Sequence, residues 1–135
     1  HMLMTIPVYN TAEQWMMASK AALFNDVDIF NKISKEKNPA KQKSLGSEVS
    51  NFKEDTWAKY RLDIVKIGSY LKFSQDADLK KQLLLTNQSV LIEGSPIDKI
   101  WGVGLKFDDV KIADKKKWKG LNLLGEALMF ARGVF

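Results

Sequence analysis

The sequence predicts a single α+β domain, predominantly helical, with a small β-sheet. Three observations lead there. Apolar residues recur at three- and four-residue steps over most of the chain. The pattern is clearest across residues 54–73, where Trp57, Arg61, Ile64, Gly68 and Leu71 share a face. Two short apolar runs of strand type, "LMTIPVY" and "SVLIE", interrupt that periodicity. A length of 135 residues with 45% hydrophobic content suits one core, placed here at residues 3–135.

The elements follow in order. Residues 3–9 read as a short edge strand or extended lead-in, because Pro7 has no N–H to give a ladder. Thr11 is a good N-cap for a helix over 12–24, and residues 27–34 make a second, short helix. "KEKNPAKQKSLGSE" is polar and broken by Pro39 and Gly46, which predicts a loop and a short helix starting near Pro39. A long helix over 54–73 and another over 76–86 come next. "SVLIE" (89–93) is then a strand, and "GSPIDKIWGVG" is irregular backbone marked by Gly94, Pro96, Gly102 and Gly104. Residues 105–112 suit a second strand or a loop. A basic hinge, "DKKKWKG", leads to a last helix from about 121 to 132, with Leu121, Leu124 and Leu128 as its apolar stripe. No repeat or low-complexity segment is present.

Composition removes whole classes of chemistry. Without cysteine there is no disulfide, thiolate metal site or cysteine nucleophile. The one histidine is His1, in an "HM" pair that reads as a tag-removal scar and is set aside. Histidine triads and histidine metal sites are thereby excluded, and no metal or cofactor is expected. Acid–base work falls to Asp, Glu, Lys, Tyr or a bound water. A net charge of +5 suits polyanions or phosphorylated small molecules. No apolar run approaches the ~18 residues of a membrane span. "MLMTIPVY" lacks the charged start of a signal peptide, so a cytoplasmic location is expected.

Four stretches hold candidate functional residues, each with a plainer reading beside it. In "TAEQWMMASKA", Glu13 and Lys20 lie seven residues apart on one helix face, with Met16 and Met17 between them. They are a solvated pair on an amphipathic helix, or tuned groups held by core neighbours. In "DTWAKYR", Trp57 and Arg61 stand at i and i+4. They are a base-and-phosphate receptor, or a half-buried indole with a snorkelling guanidinium. In "EGSPIDKIWGVG", Glu93 ends a strand and Asp98 and Trp101 follow in a loop. Asp98 is a reactive carboxylate on that loop, or the cap of a short turn beginning at Pro96. In "KKKWKGLNLLGEALMFAR", Asn122 reads as a cap or structural hydrogen bond, the lysines as a solvated face, and Gly125 as a site of close helix packing. "GVG" at 102–104 lacks the third glycine and following helix of a dinucleotide fingerprint.

Taken in order, "AEQWMMASKAALFND", "PAKQKSLG", Trp57 with Arg61 four later, "KFSQDADLKKQLLLT", "LIEGSPIDKIWGVGL" and "WKGLNLLGEALM" resemble the NADAR family, also described as the YbiA-like, riboflavin-intermediate N-glycosidase family. The resemblance runs from about Tyr9 to Arg132. It implies cleavage of an N-glycosidic bond. The substrates it implies are ribosylated, phosphorylated aminopyrimidines of riboflavin synthesis, or ADP-ribose attached to guanine. A nucleic acid is a partner in the second case. By motif, the resemblance assigns Glu13, Lys20, Trp57, Asp98 and Trp101 to the site, with Arg61, Lys72, Glu93 and Asn122 secondary. Two departures stand out. Family members carry a further segment ahead of the glutamate, where only "LMTIPVYNTAE" is found. Ser47 also stands where a basic residue commonly follows the "LG" pair.

An N-glycoside departs through an oxocarbenium-like transition state, which asks for negative charge near C1 and an acid for the leaving nitrogen. Glu13 and Asp98 are the expected pair of carboxylates, and Trp57 and Trp101 the rings that stack on base or sugar. Lys20 either clamps a phosphate or hydroxyl, or attacks C1 as an amine to give a Schiff base. The alternative to an enzyme is a module that binds NAD or ADP-ribose derivatives without cleaving them.

Overall fold

The computed structural model describes residues 12–135. The expected strand at 3–9 and the Thr11 cap lie outside the described residues. The chain divides into two compact units, one running to Ile64 and the other Val65–Phe135.

In the first unit, α1 (Ala12–Leu23), α2 (Val27–Lys35) and α3 (Pro39–Gly46) pack on one another, and Trp57 from the start of α4 (Glu54–Gln75) joins their core. Their core holds Met17, Ala18, Ala21, Phe24, Ile29, Ile33, Val49 and Trp57. Each large side chain there contributes roughly 1.5–3 kcal/mol by leaving water. Ala18 and Ala21 are fully buried, and their small size lets helices approach α1 closely. Gly46 has the same use: a methyl group there would overlap the thioether of Met17.

Polar side chains define the helix ends. Asp26 Oδ1 accepts from the Ile29 N–H (3.0 Å) to cap α2, while its other oxygen takes the Ser50 N–H (2.9 Å). Asn38 caps α3 through the Ala40 N–H (2.9 Å), with Pro39 at the first helical position. Carbonyls left open at the end of α2 are met by two buried glutamines. Gln14 Nε2 donates to Ile33 O (2.9 Å) and Glu36 O (3.0 Å), and Gln42 Nε2 also donates to Glu36 O (2.6 Å).

The second unit holds the rest of α4, then α5 (Ala77–Leu85) and α6 (Leu123–Val134), with two short 3₁₀ turns at Val110–Ala113 and Lys115–Lys117. Asp76 caps α5 through the Asp78 and Leu79 N–H groups, both at 3.1 Å. The buried apolar residues are Leu83, Val103, Leu105, Ala127 and Ala131. The stripe expected on the last helix is replaced by Gly125, Ala127 and Ala131, and Leu121 is 58% exposed. No helix among the described residues is long and apolar enough to cross a membrane.

The small β-sheet is overturned. Every described regular element is a helix, and no strand forms among the described residues. The run at 89–93 is apolar as a strand would be, but its backbone is met differently. Leu91 O accepts from Asn122 Nδ2 and the Glu93 N–H donates to Asn122 Oδ1, both at 2.9 Å. A neighbouring strand would offer that same donor–acceptor pair from its backbone. Here one primary amide supplies it, and hydrophobic pattern cannot tell the two apart. Residues 105–112 are turn and 3₁₀ helix instead of a second strand, because Asp109 accepts from the Lys111 N–H (2.9 Å) and starts a turn.

Candidate active site

The first unit gathers Glu13, Lys20, Trp57 and Arg61. Glu13 lies in the first turn of α1 and Lys20 in its last. Between them Met17 turns into the core and Met16 packs beside it. That apolar underside leaves the two charged groups half-buried on the rim. Lys20 Nζ stands 4.5 Å from the centre of the Phe52 ring and 5.8 Å from that of Trp57. The indole is only 8% exposed, so it forms a fixed floor beneath the amine.

Burial moves Glu13 and Lys20 in opposite directions. Desolvation raises the Glu13 carboxyl above the ordinary glutamate value, against the opposing charges of Lys43 and Lys20. Desolvation lowers the Lys20 ammonium below the ordinary lysine value, against Glu54 and Glu13. Each group is shifted toward its neutral form, which makes the carboxyl a better acid near neutrality and the amine a better nucleophile. Asp26 is lowered for a different reason: the backbone N–H groups of Ser50 and Ile29 hold it ionised as a helix cap.

Arg61 lies one turn beyond Trp57 on α4, and its side chain is 12% exposed. Its Nη1 stands 3.6 Å from Glu54 Oε1, an ion pair too long for a hydrogen bond. Its Nε is buried without a hydrogen-bond partner among the described residues. Sequence reasoning missed Phe52 and Glu54. Glu54 was within reach, since 54, 57 and 61 fall on one stripe of the long helix. Phe52 precedes that helix in an irregular stretch and carries no periodic signal.

The second unit holds Lys72, Glu93, Asp98, Trp101 and Asn122. Asp98 Oδ1 accepts from the Trp101 N–H (2.8 Å) and the Ile100 N–H (3.0 Å), so it caps the turn that presents Trp101. Both bonds fall on one carboxylate oxygen. Glu93 is held by its backbone: its N–H on Asn122 Oδ1 and its carbonyl on the Val103 N–H (3.0 Å). Asn122 is fully buried in the left-handed region (φ 53°), and its amide is committed to residues 91 and 93. Gly125 permits this, because a methyl group there would overlap Leu91 O and the Asn122 amide. Lys72 is exposed, with Nζ 5.9 Å from the ring of Phe73.

An open groove lies elsewhere in this unit, lined by Leu84, Asn87, Gln88, Met129, Arg132, Gly133 and Phe135. It contains none of the candidate residues and no carboxylate side chain. Among the described residues, no three Asp, Glu or His side chains gather closely enough to hold a metal ion.

Comparison with known proteins bears on both units. A family model described as NADAR domain matches residues 2–135. Over 124 residues the chain is 48% identical to an N-glycosidase of Acanthamoeba polyphaga mimivirus, covering 92% of this chain and 73% of that protein. It is 41% identical over 122 residues to the irg-1 protein of Caenorhabditis elegans, covering 89% of this chain and 58% of that one. A riboflavin biosynthesis protein of Vibrio vulnificus matches at 28% over 122 residues, covering 90% of this chain but 29% of its own length.

Proposed function

The chain belongs to the NADAR family, and from that premise we propose that it is an N-glycoside hydrolase cleaving the C–N bond between a ribose and a base. The sugar is a ribose phosphate or the ribose of ADP-ribose. Ribosylaminopyrimidine phosphates of riboflavin synthesis and ADP-ribosylated guanine are the two substrate classes. The first goes with the cytoplasmic location expected from the sequence; the second makes a nucleic acid the partner. Residues 3–135 act as one domain in this reading, since the family match runs through both units.

The observation that carries the reading is the Lys20 amine, half-buried over Phe52 and Trp57 and sharing its helix with a raised carboxyl at Glu13. In that setting Lys20 is the nucleophile. Its free amine attacks C1, the C1–N bond to the base breaks, and Glu13 gives its proton to the leaving nitrogen. The Glu13 carboxylate takes a proton back from the Lys20 nitrogen and delivers it to the ring oxygen as the C1–O bond opens. The product of these steps is a protonated Schiff base between C1 and Lys20. Water adds to C1 and releases the sugar aldehyde, regenerating the amine and the Glu13 carboxyl. No step needs a metal or cofactor. Asp98 serves as second carboxylate and Trp101 as stacking ring on the strength of the family resemblance. Arg61, Glu93 and Lys72 contact substrate, and Asn122 acts through Glu93, whose backbone it holds.

The test is incubation with ribosylaminopyrimidine phosphate and with ADP-ribosylated guanine DNA, with and without borohydride. Released sugar and a Lys20 adduct in wild type, both lost in Lys20→Met, are the expected result. Sugar release without an adduct removes the covalent route and leaves Lys20 as a clamp. Binding without release on both substrates leaves a binding module.

A further inference from the structure

The mechanism above leaves Glu54 without a role, and its surroundings give it one. Glu54, Trp57 and Arg61 occupy successive turns of one stripe of α4. The Glu54 side chain is 69% exposed, while the Arg61 side chain it faces is 12% exposed. A guanidinium has five N–H donors and no acceptor. Among the described residues Arg61 makes no hydrogen bond: Glu54 lies at 3.6 Å, and Nε is buried without a partner. A charge withdrawn from water with its donors unmet is costly. Natural structures retain such groups where a ligand completes them.

We propose that Arg61 is the receptor for a phosphate of the substrate, and that Glu54 is a built-in anion holding its place, displaced when the phosphate arrives. Phosphate offers three oxygens to a fork that Glu54 reaches with one, and bidentate capture by arginine is the stronger geometry. The displaced carboxylate is already exposed, so it returns to water at little cost. Glu54 therefore sets a threshold. A ligand presenting a phosphate dianion at Arg61 displaces it, and an unphosphorylated nucleoside has nothing with which to compete. The arrangement also couples to the amine, because the Glu54 charge helps keep Lys20 protonated.

This proposal rests on the glycosidase reading for its purpose, but its test does not use hydrolysis. Inorganic phosphate is titrated into the full chain with the heat of binding as the response in every variant, and the Arg61 Nε–H resonance is followed by NMR where the arginine is kept. Phosphate is expected to move that resonance in wild type. Glu54→Gln is expected to tighten phosphate binding by about three- to ten-fold, the range of a partly exposed ion pair. Arg61→Gln is expected to abolish the response, and the double variant to behave like Arg61→Gln alone. Unchanged or weaker phosphate affinity in Glu54→Gln overturns the proposal, as does wild-type affinity in Arg61→Gln. Thermal unfolding of each variant separates a lost site from a lost fold. Tight phosphate binding with no sugar release from either substrate leaves this proposal standing and removes the glycosidase reading.

Discussion

Two regions of the molecule treat their candidate residues in opposite ways. Around α1 and the start of α4, Arg61 Nε has no partner among the described residues, and Glu13 and Lys20 are pushed toward neutrality by burial. Around residues 91–103 and 119–124, polar groups are met. The Asp98 carboxylate caps a turn, the Asn122 amide grips residues 91 and 93, and backbone bonds such as Lys119 N–H to Val103 O (2.8 Å) lace the segments together. The first region holds groups whose protonation burial has unsettled. The second holds its groups still and shapes what they present. Satisfaction of hydrogen bonds thus sorts the candidate residues into two kinds where sequence motif alone groups them together, and the proposed mechanism takes the first kind as reactive and the second as positioning.

The contrast is broken most severely at Lys20. Lys20→Met is expected to lower kcat by roughly 10⁴-fold or more if the amine is a covalent nucleophile. Steady-state rates, with circular dichroism to verify folding, check this. A loss confined to KM would move Lys20 into the class of binding groups.

Stability gives the matching blow to the second region. Asn122→Ala strips Leu91 O and the Glu93 N–H of their partners together. The expected cost is about 2–4 kcal/mol in urea unfolding, with each orphaned group worth ~1–3 kcal/mol. Gly125→Ala attacks the same grip from the other side. A change below about 0.5 kcal/mol in both variants would show that the loop holds itself.

Glu13→Gln sharpens the comparison, with an expected fall in kcat/KM of about 10²-fold from loss of a proton-transfer group. It also has a sign in pH. Burial lowers the Lys20 pKa, and the negative charges of Glu54 and Glu13 partly restore it. If Lys20 attacks as the free amine, as proposed, kcat/KM rises as pH passes upward through that pKa. Removing either carboxylate charge lowers the Lys20 pKa further, so the rising limb moves to lower pH, more for Glu54→Gln than for Glu13→Gln. A limb moving to higher pH in either variant contradicts the assignment.

The smallest expected structural effect is at Asp98. Asparagine caps nearly as well as aspartate, so Asp98→Asn should alter stability by less than about 0.5 kcal/mol. Any fall in rate then reports the charge and not the turn. Unaltered rates would leave Asp98 as a cap alone.

Much of the helical framework was legible in the sequence because it is written in local chemistry. Asn38-Pro39 starts a helix, Asp76 caps one, and a 3.6-residue period marks the longest. The missing sheet was not legible. "SVLIE" is apolar in a strand-like way whether its backbone is met by a strand or by an amide 29 residues further on from Glu93. In the last helix, periodicity favoured the leucines, but close approach of Leu91 O at Gly125 required the small residues inside. Glu13 and Lys20 were visible as a pair by spacing. That burial shifts both of them depends on Phe52, Trp57 and the methionine floor, which spacing does not reveal.

The grip of Asn122 on residues 91 and 93 has a consequence for how this region tolerates change over evolutionary time. A strand ladder ties register at every second residue, so an insertion in either strand must be matched in the other. A single carboxamide ties residues 91 and 93 to the start of α6 at one point. Residues 99–103 and 119–124 are pinned separately by backbone bonds, so what a length change there must spare is those bonds, while the apolar run at 91–93 depends on one asparagine and the glycine that makes room for it. The cost is concentration of risk: for that run, two codons carry what a sheet would spread over many.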